Sequence, residues 1–141
     1  MLIYFEGVDK TGKTTLAQTV LKATNYKHVV FDRGPISQVV YDKAFNRVPD
    51  PLLPNAFKFL QLCKPVVFLC EAPTELIEVR LERAQESLPD ELKDIDKVKG
   101  FFRDALNASG LHYVVLDTSR AFDDVLRSIE RVVPDVKGEW S

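Results

Sequence analysis

Residues Tyr4–Thr15 read YFEGVDKTGKTT: an apolar run breaks at Gly7, and the next eight positions hold two lysines and three threonines. The segment leading into it, LIYFE (2–6), has the short aromatic and β-branched character of a buried strand, and an amphipathic helix follows. A strand that hands over to a helix through a turn bracketed by Gly7 and Gly12 has a physical consequence. Glycine tolerates backbone angles that other residues resist, so successive N–H groups can turn inward as a nest for an anion. The helix beginning near Lys13 aims its N-terminal dipole at the same point.

The same alternation continues outward from this junction. HVVFD (28–32), PVVFLCE (65–71) and HYVVLD (112–117) are three more short apolar runs bounded by polar residues, and each reads as a buried strand. Phe122, Val125, Leu126, Ile129, Val132 and Val133 mark one face of a helix that Pro134 stops, with Asp117, Thr118 and Ser119 as candidate N-caps. A second helix is predicted over Asp94–Asn107, with Ile95, Val98, Phe102, Ala105 and Leu106 inward and Gly110 past its end. A third follows Pro73, with Leu76, Ile77, Leu81 and Ala84 inward, whereas RVPDPLLPN (47–55) reads as a stiff loop. Strands alternating with helices imply parallel strands joined by right-handed crossovers, hence an open α/β sheet covered on both faces. Ligands on such a sheet bind beyond the carboxyl ends of its strands. A chain of 141 residues, 45% of them hydrophobic, is expected to form one domain over 1–141.

Gly7–Thr14 fits G-x-x-x-x-G-K-[ST], the phosphate loop of P-loop NTPases, in the strand–turn–helix context that this motif requires. Lys13 can then reach the β- and γ-phosphates of ATP and the Thr14 hydroxyl can ligate Mg²⁺, with Thr11 and Thr15 counted among the nucleotide-binding residues. Asp32 and Arg33 form a second candidate pair at the carboxyl end of the second strand. The aspartate can hold a metal-bound water or take a proton from an attacking hydroxyl, and the arginine can clamp a phosphate; the alternative is a structural pair capping the turn at Gly34 and Pro35. Arg80 and Arg83 are i, i+3 neighbours, and Arg80 has no acid at its ±3 and ±4 positions. They either face an anion such as a triphosphate or lie solvated, with Arg83 pairing to Glu86. Tyr41 and Phe45, one helical turn apart, can stack a base with Arg47 or Gln38 hydrogen-bonding it, or can pack as core.

FEGVDKTGKTT, FDRGPIS, PVVFLCEAPTELIEVRLER, KVKGFFRDAL and VVLDTSRAFDDV, in that order, resemble the thymidylate kinase-like group of P-loop nucleoside and nucleotide kinases. Small viral members with a D-R-x-x-x-S run are the most similar. The resemblance implies that Lys13 and Thr14 serve ATP and Mg²⁺, while Asp9 and Lys10 point toward the acceptor, Lys10 helping to stabilise the transferring phosphoryl group. It also implies that Asp32 holds the metal-water shell, Arg33 the acceptor's phosphate, Arg83 the ATP from the lid side, and Arg120 the adenine. Larger members carry several tens of residues between the loop helix and the D-R strand, where this chain has only ATNYK. The expectation is therefore a three-layer α/β/α P-loop NTPase fold with a reduced parallel sheet of about four strands, HVVFD beside LIYFE and the other two on its far side. The acceptor pocket must then come from residues 37–47 and the proline loop. QESLPDELKDIDKVK (85–99) has five acids, three lysines and no arginine, which leaves Lys10 and Arg33 for charge neutralisation.

Nineteen Lys and Arg against 21 Asp and Glu give a net charge of -2, without the basic footprint of a nucleic-acid binder. No 18 apolar residues run together and MLIYFEGV lacks a positive n-region, so the expected location is cytoplasmic (the host cytoplasm for a viral member), with no membrane partner. Cys63 and Cys70 lie in apolar contexts and are expected to be reduced core residues; His28 and His112, at strand starts, are expected on the surface. Trp140 can anchor the tail or sit in a homodimer contact. The leading expectation is ATP- and Mg²⁺-dependent phosphoryl transfer to a small nucleotide, a deoxynucleoside monophosphate such as dTMP first among acceptors. A nucleoside acceptor with Asp32 or Asp9 as base, a 5′-hydroxyl polynucleotide kinase, a kinase of another small metabolite, and a nucleotide-binding module without turnover stay open.

Overall fold

A computed structural model describes residues 1–136. The described residues form four strands, β1 (Leu2–Glu6), β2 (Val29–Asp32), β3 (Val66–Glu71) and β4 (Tyr113–Asp117), and six α-helices. The helices are α1 (Lys13–Ala23), α2 (Pro35–Ala44), α3 (Leu53–Cys63), α4 (Thr74–Arg83), α5 (Ile95–Ser109) and α6 (Phe122–Glu130). All strand pairs are parallel and the order is β2-β1-β3-β4, with the D-R strand beside the loop strand as the sequence predicts.

Strand alternation distributes the apolar side chains to two faces. Ile3, Phe5, Phe68, Cys70 and Leu116 pack with Leu16 and Val20 of α1 and with Val125, Leu126 and Ile129 of α6. The opposite face, with Val67 and Leu69, is closed by Ile36 and Val40 of α2, Ile77 of α4, and Phe102 and Leu106 of α5. The result is the expected three-layer α/β/α arrangement. Each fully buried side chain of this size contributes roughly 1.5–3 kcal/mol. Only residues 24–28 join α1 to β2; α1 packs on this edge strand, whose Val30 reaches the core, while Val29 and Phe31 stay exposed.

Several local expectations are corrected. The proline-rich stretch is loop only as far as Leu52; Pro54 sits in the first turn of α3, where a helix loses nothing by its missing N–H. The N-cap of α6 is Ala121, without a side-chain cap. Asp117 instead accepts from the Ser119 N–H at 3.0 Å and the Ser119 hydroxyl at 2.5 Å, and the Thr118 N–H donates to the Glu71 carbonyl at 2.8 Å. Ala84 and Phe122 are exposed rather than inward. Cys63 lies exposed at the end of α3, outside the core; Cys70 is buried, and burial pushes its thiol up to about 12. His28 is half-buried, its Nε2 2.9 Å from Asp135 Oδ2, while His112 is exposed. The α5 boundaries follow the sequence: Asp94 Oδ1 accepts from the Lys97 N–H, and Gly110 closes the helix in the left-handed region. Trp140 lies outside the described residues. No helix among the described residues is long and apolar enough to cross a membrane.

Candidate functional site

The site forms where β1 ends. Gly7 has φ 137°, and a Cβ there would overlap the Cys70 carbonyl oxygen of β3. Only glycine lets the loop leave the sheet this close to its neighbour strand. Thr11, fully buried, donates its hydroxyl to the Val8 carbonyl at 2.8 Å and ties the loop across itself. Lys13 opens α1 with its side chain folded back, Nζ donating to the same Val8 carbonyl at 2.6 Å. Burial draws its pKa below the ordinary lysine value.

Across the cleft, β2 delivers Asp32 and Arg33. The Thr14 hydroxyl donates to Asp32 Oδ2. The Arg33 guanidinium donates to Asp9 Oδ1 and to the Tyr41 hydroxyl, and lies 5.0 Å from the Tyr41 ring centroid. Lys10 pairs with Glu86 at 3.0 Å. Asp9, Lys10, Lys13, Thr14, Asp32 and Arg33, with Glu86 opposite, line one cavity of about 370 Å³. A second cavity, of about 300 Å³, adjoins the other flank of the loop and is lined by Thr11, Thr15, Arg80, Thr118, Arg120 and Phe122, among others. Arg80 braces this flank, donating to the Lys10 carbonyl at 2.7 Å and to the Thr118 carbonyl at 3.5 Å.

The fold thus gathers the predicted loop residues, Asp32, Arg33, Arg80 and Arg120 around two adjoining cavities. Arg83 is exposed and lines neither, and its suggested partner Glu86 is taken by Lys10. Gln38, Phe45 and Arg47 also line neither. Phe45 packs on the core cluster beneath α2, with the Arg47 guanidinium 4.8 Å above its ring. Tyr41 meets Phe102 edge-on at 6.2 Å, and the gap it shares with Asp9, Leu88 and Leu92 measures only about 10 Å³. A larger apolar cavity of about 430 Å³, between α2, α3 and α5, is lined by none of the individually predicted site residues, although Val39, Pro49, Asp50, Leu53 and Pro54, from the segments expected to build the acceptor pocket, line it.

Sequence reasoning passed over Glu6 and Ser37, which meet directly under the loop, the Ser37 hydroxyl donating to Glu6 Oε2. Both are buried, and burial pushes the Glu6 carboxyl up to about 7. The available signal was an acid closing an apolar strand immediately before the loop glycine. One hydroxyl and one carboxylate oxygen, from Thr14 and Asp32, meet at the cavity wall. That donor set fits a hard divalent cation that keeps several waters and arrives with a phosphate.

Three layers, a parallel β2-β1-β3-β4 sheet and a glycine-bracketed loop carrying Lys13 at a helix start define a P-loop NTPase-like fold. No protein-family model matches the chain, and comparison with curated proteins gives no match. Among solved structures it is similar to the Bacillus subtilis YorR protein in complex with phosphorylated GDP, at 22% identity over 95% of this chain and 96% of that one, with a TM-score of 0.78. It is similar also to deoxyadenosine kinase from M. mycoides with bound dCTP, at 14% identity over 95% and 99% of the two chains, with a TM-score of 0.68. The same enzyme with products dCMP and a flexible dCDP bound superposes with a TM-score of 0.67, at 14% identity over 95% and 99%. Likeness at these identities is likeness of fold.

Proposed function

We propose that the protein is a kinase that transfers the γ-phosphoryl group of ATP to a small nucleotide or nucleoside, with a deoxynucleoside monophosphate such as dTMP the leading acceptor. One observation carries this reading: Lys13 and Thr14 of the phosphate loop share a single cavity with Asp9, Asp32 and Arg33. Donor-side and acceptor-side groups therefore face one another across a space of transferring size. The solved neighbours that bind nucleotides, deoxyadenosine kinase among them, support the same class.

In this reading the loop N–H groups and Lys13 bind the β- and γ-phosphates, Lys13 exchanging its bond to the Val8 carbonyl for phosphate oxygens. Thr14 and Asp32 would hold Mg²⁺, which when bound offsets the charge on the phosphates. Arg33 orients an acceptor phosphate and Lys10 meets the charge of the group in transit, so catalysis is positioning and neutralisation. The adenine lies in the second cavity, along Arg120. A nucleoside acceptor is the second reading. Asp9, bonded to Arg33 on the cavity wall, is placed to take a proton from an attacking hydroxyl.

The test is ADP release from Mg-ATP with purified protein, scanned over deoxynucleosides, their monophosphates and a 5′-hydroxyl oligonucleotide. A monophosphate should stimulate release most, and Lys13→Ala should abolish it. If ATP binds and no acceptor stimulates, the kinase reading fails. Stimulation by nucleosides alone would select the second reading.

A further inference from the structure

We propose that Glu6 is a positioning residue: from under the phosphate loop its carboxylate faces the N-terminus of α2, holds Ser37 in the first turn and thereby fixes the turn that presents Arg33. Three features of the turn lead to this assignment. Arg33 sits at φ 79°, a left-handed conformation that a long side chain adopts only where its surroundings hold it. Its backbone is anchored by its N–H donating to the Phe5 carbonyl at 2.8 Å. Gly34, next along, lies so close over β1 that a Cβ would meet the Tyr4 ring at 2.5 Å and Glu6 Oε1 at 2.9 Å.

The helix that follows has no cap of its own. Gly34 is its N-cap without a side chain to offer, no acid lies in its first turn, and Pro35 starts it. Such a terminus leaves N–H groups and a partial positive charge with nothing local to answer them. Glu6 brings a negative charge to that terminus from another element: Oε2 accepts from the Ser37 hydroxyl in the first turn, and Oε1, which accepts no hydrogen bond, lies against Gly34. The carboxyl is fully buried. Its surroundings are Ser37 of α2, Arg33 of the turn, Lys13 of α1, Tyr4 on its own strand and Cys70 of β3. Burial raises its pKa, while Ser37, the Gly34 backbone, Arg33 and Lys13 favour the charged form, leaving the carboxyl at about 7. A proton on Glu6 removes the charge that answers the helix terminus, so the turn loosens and Arg33 loses its fixed aim on the acceptor side. Glu6 does not touch the cavity, and it acts through Ser37, Gly34 and Arg33.

A carbon-13 NMR titration of the free protein tests the link without any turnover, with Glu6 assigned through Glu6→Gln. The carboxyl should titrate near neutrality, the Arg33 Nε–H resonance should move with the same midpoint, and Glu6→Gln should abolish that movement. Ser37→Ala should shift the Glu6 midpoint upward, because it removes a bond to the charged form. The kinetic arm rests on the kinase reading. In Glu6→Gln the acceptor KM should rise on the order of 10-fold with the ATP KM within about twofold, and the acidic inflection near neutral pH should vanish. The acceptor's own second ionisation, near 6 for a phosphate monoester, remains in both proteins. An Arg33 resonance insensitive to Glu6, or an inflection unchanged in Glu6→Gln, overturns the proposal. Coupled NMR titrations with no acceptor turned over would leave the positioning role standing and sink the kinase reading alone.

Discussion

Glu6→Gln should make the protein more stable as the pH rises, even as it impairs the turn beneath Arg33. Glutamine keeps the shape of the side chain and an oxygen for the Ser37 hydroxyl but cannot ionise. In the unfolded chain the Glu6 carboxyl titrates at its ordinary value of 4.5; in the fold, burial holds it to about 7. Below both values the residue is neutral in either state, and glutamate and glutamine differ little. Between them the unfolded chain has released a proton that the fold retains, so wild-type stability falls with pH, by about 1.4 kcal/mol for each pH unit. Above the folded value the loss is complete, about 3 kcal/mol in total, on the order of 10 °C in Tm for a chain of this size. Urea unfolding followed by circular dichroism, on both proteins from pH 4.5 to 8.5, measures the difference directly. The gap in favour of Glu6→Gln should open between pH 5 and 7 and then stay level. A gap constant to within about 0.5 kcal/mol across that range would mean that the fold does not penalise the Glu6 charge, and the burial argument would be wrong. A carboxyl that costs the fold about 3 kcal/mol at pH 8 invites a compensating role, and holding Ser37 and the turn beside Arg33 is the one proposed for it.

Three further outcomes follow from the same geometry. Gly7→Ala must displace either the loop or β3 from the Cys70 carbonyl and adopt an unfavourable φ, with a loss of roughly 2–4 kcal/mol in thermal or urea unfolding; near-wild-type stability would refute the close approach. Arg33→Ala should raise the acceptor KM or lower kcat while ATP affinity by calorimetry stays nearly unchanged, and if both kinetic constants hold, the D-R pair is structural. Chelating divalent metal with EDTA should weaken nucleotide binding on the order of 10-fold or more, and Thr14→Ala should reproduce much of that loss in the presence of Mg²⁺.

The strands were legible because each is a short continuous apolar run, which for β1 and β3 reflects burial on both faces, whereas β2 keeps the same pattern with Val29 and Phe31 exposed. Their order followed from one connection: with only residues 24–28 between α1 and β2, the D-R strand has no room to go elsewhere than beside β1. The start of α3 was hidden because a proline in a helix's first turn and a proline in a loop look alike in sequence, and only tertiary packing tells them apart. Tyr41 and Phe45 show the same limit for side chains. Helical spacing puts both on related faces, and both pack against the same core cluster, Tyr41 edge-on to Phe102 of α5, but of the two it is Tyr41 whose hydroxyl also accepts from Arg33. Glu6 was the least legible, since a strand-ending acid is ordinary until α2 folds over it and removes it from water.

The cations of the site differ in how firmly they are held, and this sets how each can be recruited. Lys10 pairs with Glu86 across a partly solvated gap, with side-chain exposures of 29% and 55%, so the pair contributes little and exchanges readily for a phosphate. Lys13 is bound to a neutral carbonyl and gains a charged partner by swinging to phosphate. Arg33 is the most constrained, donating to Asp9 and to Tyr41 on a turn that Ser37 and Glu6 hold from beneath. A polyphosphate reaching this cavity also meets the carboxylates of Asp9, Asp32 and Glu86, which offset Lys10, Lys13 and Arg33 one for one. A bare polyanion therefore gains little net attraction, whereas in the proposed reading one carrying a divalent cation would find Thr14 and Asp32 as partners and turn one of those acids from repulsive to attractive. In the proposed reading the donor phosphates would draw on Lys13, and the group in transit on Lys10, the two cations most easily released. In the proposed kinase reading, Arg33 would stay with Asp9 until an acceptor competes for it, which would put acceptor selectivity in the Asp9–Arg33 pair more than in the loop.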